Sequence, residues 1–126
     1  MADVYSTGAE GQALLTRWLT ERGHDVRPSD KKTFDLIVDG KYVEVKSSNG
    51  PYSKLGFTYL TQTQHRALLD GVDFDLFIVC NVAHPAELDV LRIPAALLKA
   101  EEPTVERIYY WYRPQLDRIR GRLTSA

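Results

Sequence analysis

The sequence predicts an α/β domain in which a central mixed β-sheet is flanked by helices. Three observations carry that expectation. Asp39-Gly40 separates two runs of alternating apolar and polar residues, the pattern of a β-hairpin. "FDLFIVCNV", residues 74–82, is apolar at both alternating positions, as a strand covered on both faces must be. Helical periodicity lies before and after these strands, so helices are on hand to cover them.

Each element follows in order. In "YSTGAEGQALLTRWLTERGH", residues 5–24, Leu14, Leu15, Trp18 and Leu19 recur at helical spacing and Gly23 ends the pattern. Thr7 is placed to cap this helix, with Glu10 three residues later completing a capping box. Glu10 also falls on one stripe with Leu14 and Trp18, which leans it toward the core side. "HDVRP" suits a short strand. "TFDLIVDGKYVEVKSS", residues 33–48, is the hairpin. Residues 47–58 read as a polar loop, and "TQTQHRALLDG" as a short helix with Thr61 as cap and Gln64 at the third position. Residues 74–82 form the central strand. A turn at His84-Pro85 leads to a strand in "LDVLRI", Pro94 opens a short helix, "VERIYYWYR" is a late strand, and Pro114 starts a last amphipathic helix. The order is α-β-β-β-α-β, then β-α-β-α.

The chain's 126 residues suit one domain, residues 1–126, with a core of its own. Sixteen Lys and Arg against 17 Asp and Glu leave a net charge of −1, which argues against coating nucleic acid by bulk electrostatics. No apolar run approaches the about 18 residues of a membrane span, so no membrane partner is expected. The single Cys80 excludes an internal disulfide or a thiolate zinc site, and a cytoplasmic location is the expectation. His24, His65 and His84 show no ligand spacing.

The hairpin carries the chemistry. A two-residue turn at Asp39-Gly40 pairs Val38 with Lys41, Ile37 with Tyr42, Leu36 with Val43 and Asp35 with Glu44. Opposed residues share a face. One face then shows Phe34, Leu36, Val38, Val43 and Val45; the other shows Asp35, Ile37, Tyr42, Glu44 and Lys46. Asp35 and Glu44 become cross-strand neighbours with Cβ atoms about 5 Å apart, and like charges so placed destabilise a sheet. Either Lys46 or a divalent cation must compensate. Oxygen ligands suit a hard ion, Mg²⁺ rather than zinc. A solvated strand face with an ordinary Glu–Lys mix is the plain alternative.

Asp35 on one strand, then Glu44-Val45-Lys46 on the next, resembles the signature of the PD-(D/E)XK nuclease superfamily. The α-β-β-β-α-β order resembles that superfamily's core over residues 6–82, with Phe34 where the name-giving Pro would stand. The resemblance implies a restriction-endonuclease-like fold and a Mg²⁺-dependent endonuclease that cleaves DNA, with Mn²⁺ as a substitute. It implies that Asp35, Glu44 and the Val45 carbonyl hold the metal and that Lys46 orients and assists the attacking water. It implies that Glu10 binds the metal, directly or through water, or serves a second metal. Gln64, in preference to Gln62, would position the scissile phosphate or Lys46. Duplex cutting makes a homodimer an expectation, and so small a domain gives weight to recruitment by a partner protein. The alternatives are an RNA-cleaving or toxin nuclease with the same site, and an inactive nuclease-fold module for nucleic-acid or protein interaction.

"IYYWYRPQLDRIRGR" concentrates aromatics with Arg113, Arg118, Arg120 and Arg122. Packing of an edge strand and a helix is the first expectation for it. A dimer surface or a base-stacking and phosphate-binding face is the second.

Overall fold

The computed structural model describes residues 4–105 and 109–123. The first helix, α1 (Val4–Glu21), starts earlier than its sequence pattern suggested. Thr7 therefore lies inside the helix and not at its cap. Three strands follow, β1 (Val26–Pro28), β2 (Leu36–Val38) and β3 (Lys41–Ser47). The hairpin turn is as expected. Asp39 and Gly40 both take positive φ, 50° and 82°, the two-residue turn whose twist matches its strands. The register is Leu36 to Val43, Ile37 to Tyr42 and Val38 to Lys41. Asp39 is tied to the end of α1: its carboxylate meets His24 Nδ1 at 2.6 Å and accepts the Asp25 N–H at 2.9 Å. The His24 contact is the larger reason that the Asp39 carboxyl sits below its ordinary range.

The predicted loop at residues 47–58 holds a short 3-10 turn, Tyr52–Lys54, and runs into a strand the sequence reading did not place, β4 (Phe57–Leu60). Helix α2 (Gln62–Leu69) has the expected capping box: the Thr61 side chain accepts the Gln64 N–H, and Gln64 Oε1 accepts the Thr61 N–H. Then come β5 (Phe74–Cys80), β6 (Asp89–Pro94), α3 (Ala95–Ala100), β7 (Thr104–Val105), β8 (Tyr109–Tyr112) and α4 (Arg113–Arg120).

The main sheet has the order β1-β2-β3-β5-β6, with β5 parallel to β3 and the other pairs antiparallel. It is mixed, as expected, but β3 is its middle strand. β5 lies one place further out and is buried throughout. β4, β8 and β7 form a second, three-stranded sheet, so the aromatic strand β8 is a middle strand and not an edge.

Each face of the main sheet carries an apolar cluster that other elements cover. On one face Leu36, Val38, Val43, Phe77 and Val79 pack against Leu15 and Leu19 of α1. On the other, Phe74, Leu76, Ile78, Leu91 and Ile93 pack against Leu60, Leu68, Leu98, Trp111, Leu116 and Ile119. The side that carries Glu44 and Lys46 is not a solvated face, because Glu44 is buried and the Lys46 side chain is 15% exposed. Gly11 sets how closely α1 approaches. A Cβ at that position would overlap the Ser47 side chain of β3.

The C-terminal arginines are largely engaged within the fold. Arg113 pairs with Asp117 and donates to the Tyr52 carbonyl, Arg118 pairs with Glu101, and Arg120 lies over the Tyr52 ring and near Asp89. Packing is the reading these contacts support.

Candidate active site

The β2–β3 ladder ends at Leu36, and the way it ends builds the site. The Asp35 N–H donates to the Val43 carbonyl at 3.0 Å, although the ladder partner of Val43 is Leu36. Two residues of one strand thus oppose one of the other, as in a β-bulge, which breaks the alternation of side chains. Phe34 turns to the face opposite Leu36 and stacks on Tyr42, with ring centroids 5.1 Å apart. The strict alternation expected from the sequence, with Phe34 beside Leu36 and Asp35 directly opposite Glu44, is corrected here.

The Asp35 side chain continues the interrupted ladder. Its Oδ2 accepts the Val45 N–H at 2.9 Å. In a strand the N–H and C=O of one residue point to the same side. The Val45 carbonyl therefore faces the same edge as the Asp35 carboxylate, past the end of β2.

Glu44 is buried, 5% exposed, and lines a cavity of about 600 Å³ together with Asp35, Val45 and Lys46. Lys46 Nζ lies 3.0 Å from Glu44 Oε2 and 4.0 Å from the centroid of the Tyr59 ring. Burial pushes the Glu44 carboxyl up to about 7; Asp35 adds to the rise and Lys46 opposes it. The Lys46 ammonium does not fully offset the burial of Glu44 together with the Asp35 charge beside it. Two carboxylates and a backbone carbonyl at one edge are the donor set of a hard divalent cation, and a second positive charge there would relieve Glu44. Among the described residues no three His, Cys, Asp or Glu side chains cluster as a metal site. The protein would supply two carboxylates and one backbone carbonyl and leave the remaining positions to water or substrate.

Two of the sequence candidates lie elsewhere. Glu10 is exposed and is not part of the cavity wall. The α1 residues that are part of it are Gly8, Ala9 and Gln12. The buried stripe of α1 runs through Gly11, Leu15 and Leu19, which turns Glu10 away. Gln64 also lies outside the cavity. It is buried at the start of α2, where its Nε2 donates to the Thr33 carbonyl at 3.1 Å. It fixes the segment two residues ahead of Asp35. Gln62 is exposed. The sequence reading missed Gln12, Phe57 and Tyr59 in the cavity wall. The i, i+4 spacing of Gly8 and Gln12 offered a signal for the first; Phe57 and Tyr59 lie on β4, a strand that the sequence pattern does not mark.

No family model matches the chain, and no curated protein matches it by sequence. Among solved structures it resembles Archaeoglobus fulgidus Hjc, a Holliday junction resolvase from an archaeal hyperthermophile. The TM-score is 0.54 and the identity 11%, over 95% of this chain and 100% of that one. At that identity the likeness concerns the fold, which is the restriction-endonuclease-like fold that the element order had led us to expect.

Proposed function

We propose that this chain is a divalent-metal-dependent endonuclease that hydrolyses DNA phosphodiester bonds. The observation that carries the reading is the buried Glu44 and half-buried Asp35 beside Lys46, in a cavity large enough for a phosphodiester. The similar solved structure is a Holliday junction resolvase, which favours DNA as substrate.

In this reading Asp35, Glu44 and the Val45 carbonyl hold Mg²⁺. The bound ion would acidify the attacking water and neutralise phosphate charge. The residues of the chain have separate tasks. The Asp35 carboxylate is oriented by the Val45 N–H, so its free lone pairs point along the strand edge. Glu44 needs to be ionised to hold a cation, and its carboxyl at about 7 without one means that cation binding displaces a proton from it near neutral pH. Lys46 is held between Glu44 and the Tyr59 face, where its ammonium can orient the nucleophilic water and stabilise charge developing on the phosphate oxygens. Gly8, Ala9 and Gln12 close the side toward α1. Gln64 acts at one remove, through Thr33.

Cutting both strands of a duplex calls for two such sites, so pairing of two copies belongs to the proposal. The test is incubation with Mg²⁺ or Mn²⁺ and a panel of linear duplex, supercoiled, single-stranded and branched DNA, and RNA, beside Asp35→Asn. Cleavage of a DNA member that needs the metal and vanishes in the variant supports the reading. Cleavage confined to RNA moves the substrate class. No cleavage of any member overturns the reading.

A further inference from the structure

The outer face of the second sheet is made of aromatic rings. Phe57 pairs with Tyr112 and Tyr59 with Tyr110, so these four side chains share one face. The alternate positions, Thr58, Leu60 and Trp111, are buried in the core. A sheet with one buried face normally turns polar residues outward. Here Phe57 is 43% and Tyr112 39% exposed. The Phe57 ring centroid lies 4.9 Å from Tyr110 and 6.1 Å from Tyr112, and Tyr59 lies 6.2 Å from Tyr110. Packing in the core does not account for this face, because the core already takes the other side of both strands.

Its position says what it meets. Phe57 and Tyr59 belong both to this face and to the wall of the Asp35–Glu44 cavity, and Lys46 lies over the Tyr59 ring. The rings therefore begin at the reactive centre and run outward from it. A protein seated on them would cover the mouth of the cavity. A nucleic-acid strand with a phosphate in the cavity would lay its neighbouring bases on them. Flat rings engage base faces, which a closed duplex hides in its own stack.

We propose that Phe57, Tyr59, Tyr110 and Tyr112 form a stacking platform for unpaired bases beside the scissile phosphate, so that the substrate is DNA with unpaired bases next to the cut. The inference rests on the nuclease reading above and narrows its substrate class.

The test uses a duplex with a short single-stranded tail carrying 2-aminopurine at the first unpaired position, with Ca²⁺ in place of Mg²⁺. A blunt duplex with the same base paired is the control. The protein is expected to quench the tailed probe and to bind it more tightly than the blunt one. Tyr110→Leu and Tyr112→Leu, which keep apolar bulk and remove the ring, should each weaken binding to the tailed probe about five-fold or more and leave blunt-duplex binding unchanged. Equal affinity for the two probes, or variants that bind the tailed probe as wild type does, would overturn the platform. So would variants that instead turn a dimer into a monomer in sedimentation, which would make the face an interface between copies. If a variant does not fold, the wild-type quenching and the tailed-to-blunt affinity ratio still decide. Cleavage without stacking overturns the platform and leaves the nuclease; stacking without cleavage supports the platform and overturns the nuclease.

Discussion

Lys46 Nζ lies 3.0 Å from Glu44 Oε2, and this pair sits in the interior of the fold with the side chains 15% and 7% exposed. A buried ion pair gives little net stability, because desolvation costs about as much as attraction returns. Asp35 alongside raises the Glu44 carboxyl further, so on the proposed reading a divalent cation bound there would relieve it. A site built in that way has definite experimental signatures.

Removing the ammonium should remove the chemistry. Lys46→Ala is expected to lower cleavage by about 10²–10³-fold, the usual cost of losing one preorganised charge-stabilising donor. The same variant should retain Mn²⁺ binding by calorimetry, because the carboxylates remain. Loss of both together would mean that the substitution had disrupted the site and not the step.

Glu44 makes the metal-free protein sensitive to pH. Its folded carboxyl is near 7 against an ordinary 4.5, so the folded state holds its proton to higher pH than the unfolded state does. The associated stability is fully present below about pH 4.5 and is lost as pH rises through 7, at a cost of about 3 kcal/mol. Thermal melts of wild type and Glu44→Gln without metal should therefore diverge between pH 5 and pH 8, with wild type losing ground. Mg²⁺ should raise the wild-type Tm at pH 8 and leave Glu44→Gln unmoved. Parallel melting curves across that range would contradict this.

Gly11 should tolerate no side chain. Ala is the better helix former by about 1 kcal/mol, yet Gly11→Ala must push α1 away from Ser47 and should destabilise by about 1–3 kcal/mol. Gly8→Ala, with open space around its position, should be neutral or stabilising. Denaturant melts of the two variants check the contrast. Equal effects would mean that the helix and β3 are not in close contact.

Gln64→Ala removes half of the α2 capping box and the tether to Thr33. It should cost about 1–2 kcal/mol. Because Thr33 leads into the bulge at Asp35, it should also weaken metal binding. Gln62→Ala should do neither. The pair separates support of the site from general helix stability.

What was legible in the sequence and what was not divide along physical lines. The Asp39-Gly40 turn fixed the hairpin register from Leu36 to Val43, because that turn dictates how its strands twist. The bulge at Asp35 was not legible. It is a choice of backbone hydrogen bond, Asp35 to Val43, and leaves no mark in composition. Phe34 changes face because of it. The β4 strand was hidden because it is four residues long: Phe57 and Thr58 merge with the Gly- and Pro-containing loop, and Tyr59 and Leu60 are too few to mark a strand. Glu10 and Gln12 differ by two positions, a little over half a turn of helix. Once α1 is seated through Gly11, Leu15 and Leu19, Gln12 lines the cavity and Glu10 does not. Asp35, Glu44, Val45 and Lys46 were found together because two short strands joined by a tight turn leave little freedom in where they meet.

The most direct test of the central claim is the identity of the ends left by cleavage, read on an end-labelled duplex with and without Mg²⁺, for wild type and Lys46→Ala. The account predicts 5′-phosphate and 3′-hydroxyl ends that appear only with the metal and that form about 10²–10³-fold more slowly in Lys46→Ala. Cleavage that proceeds without metal, or that Lys46→Ala performs equally well, would contradict it.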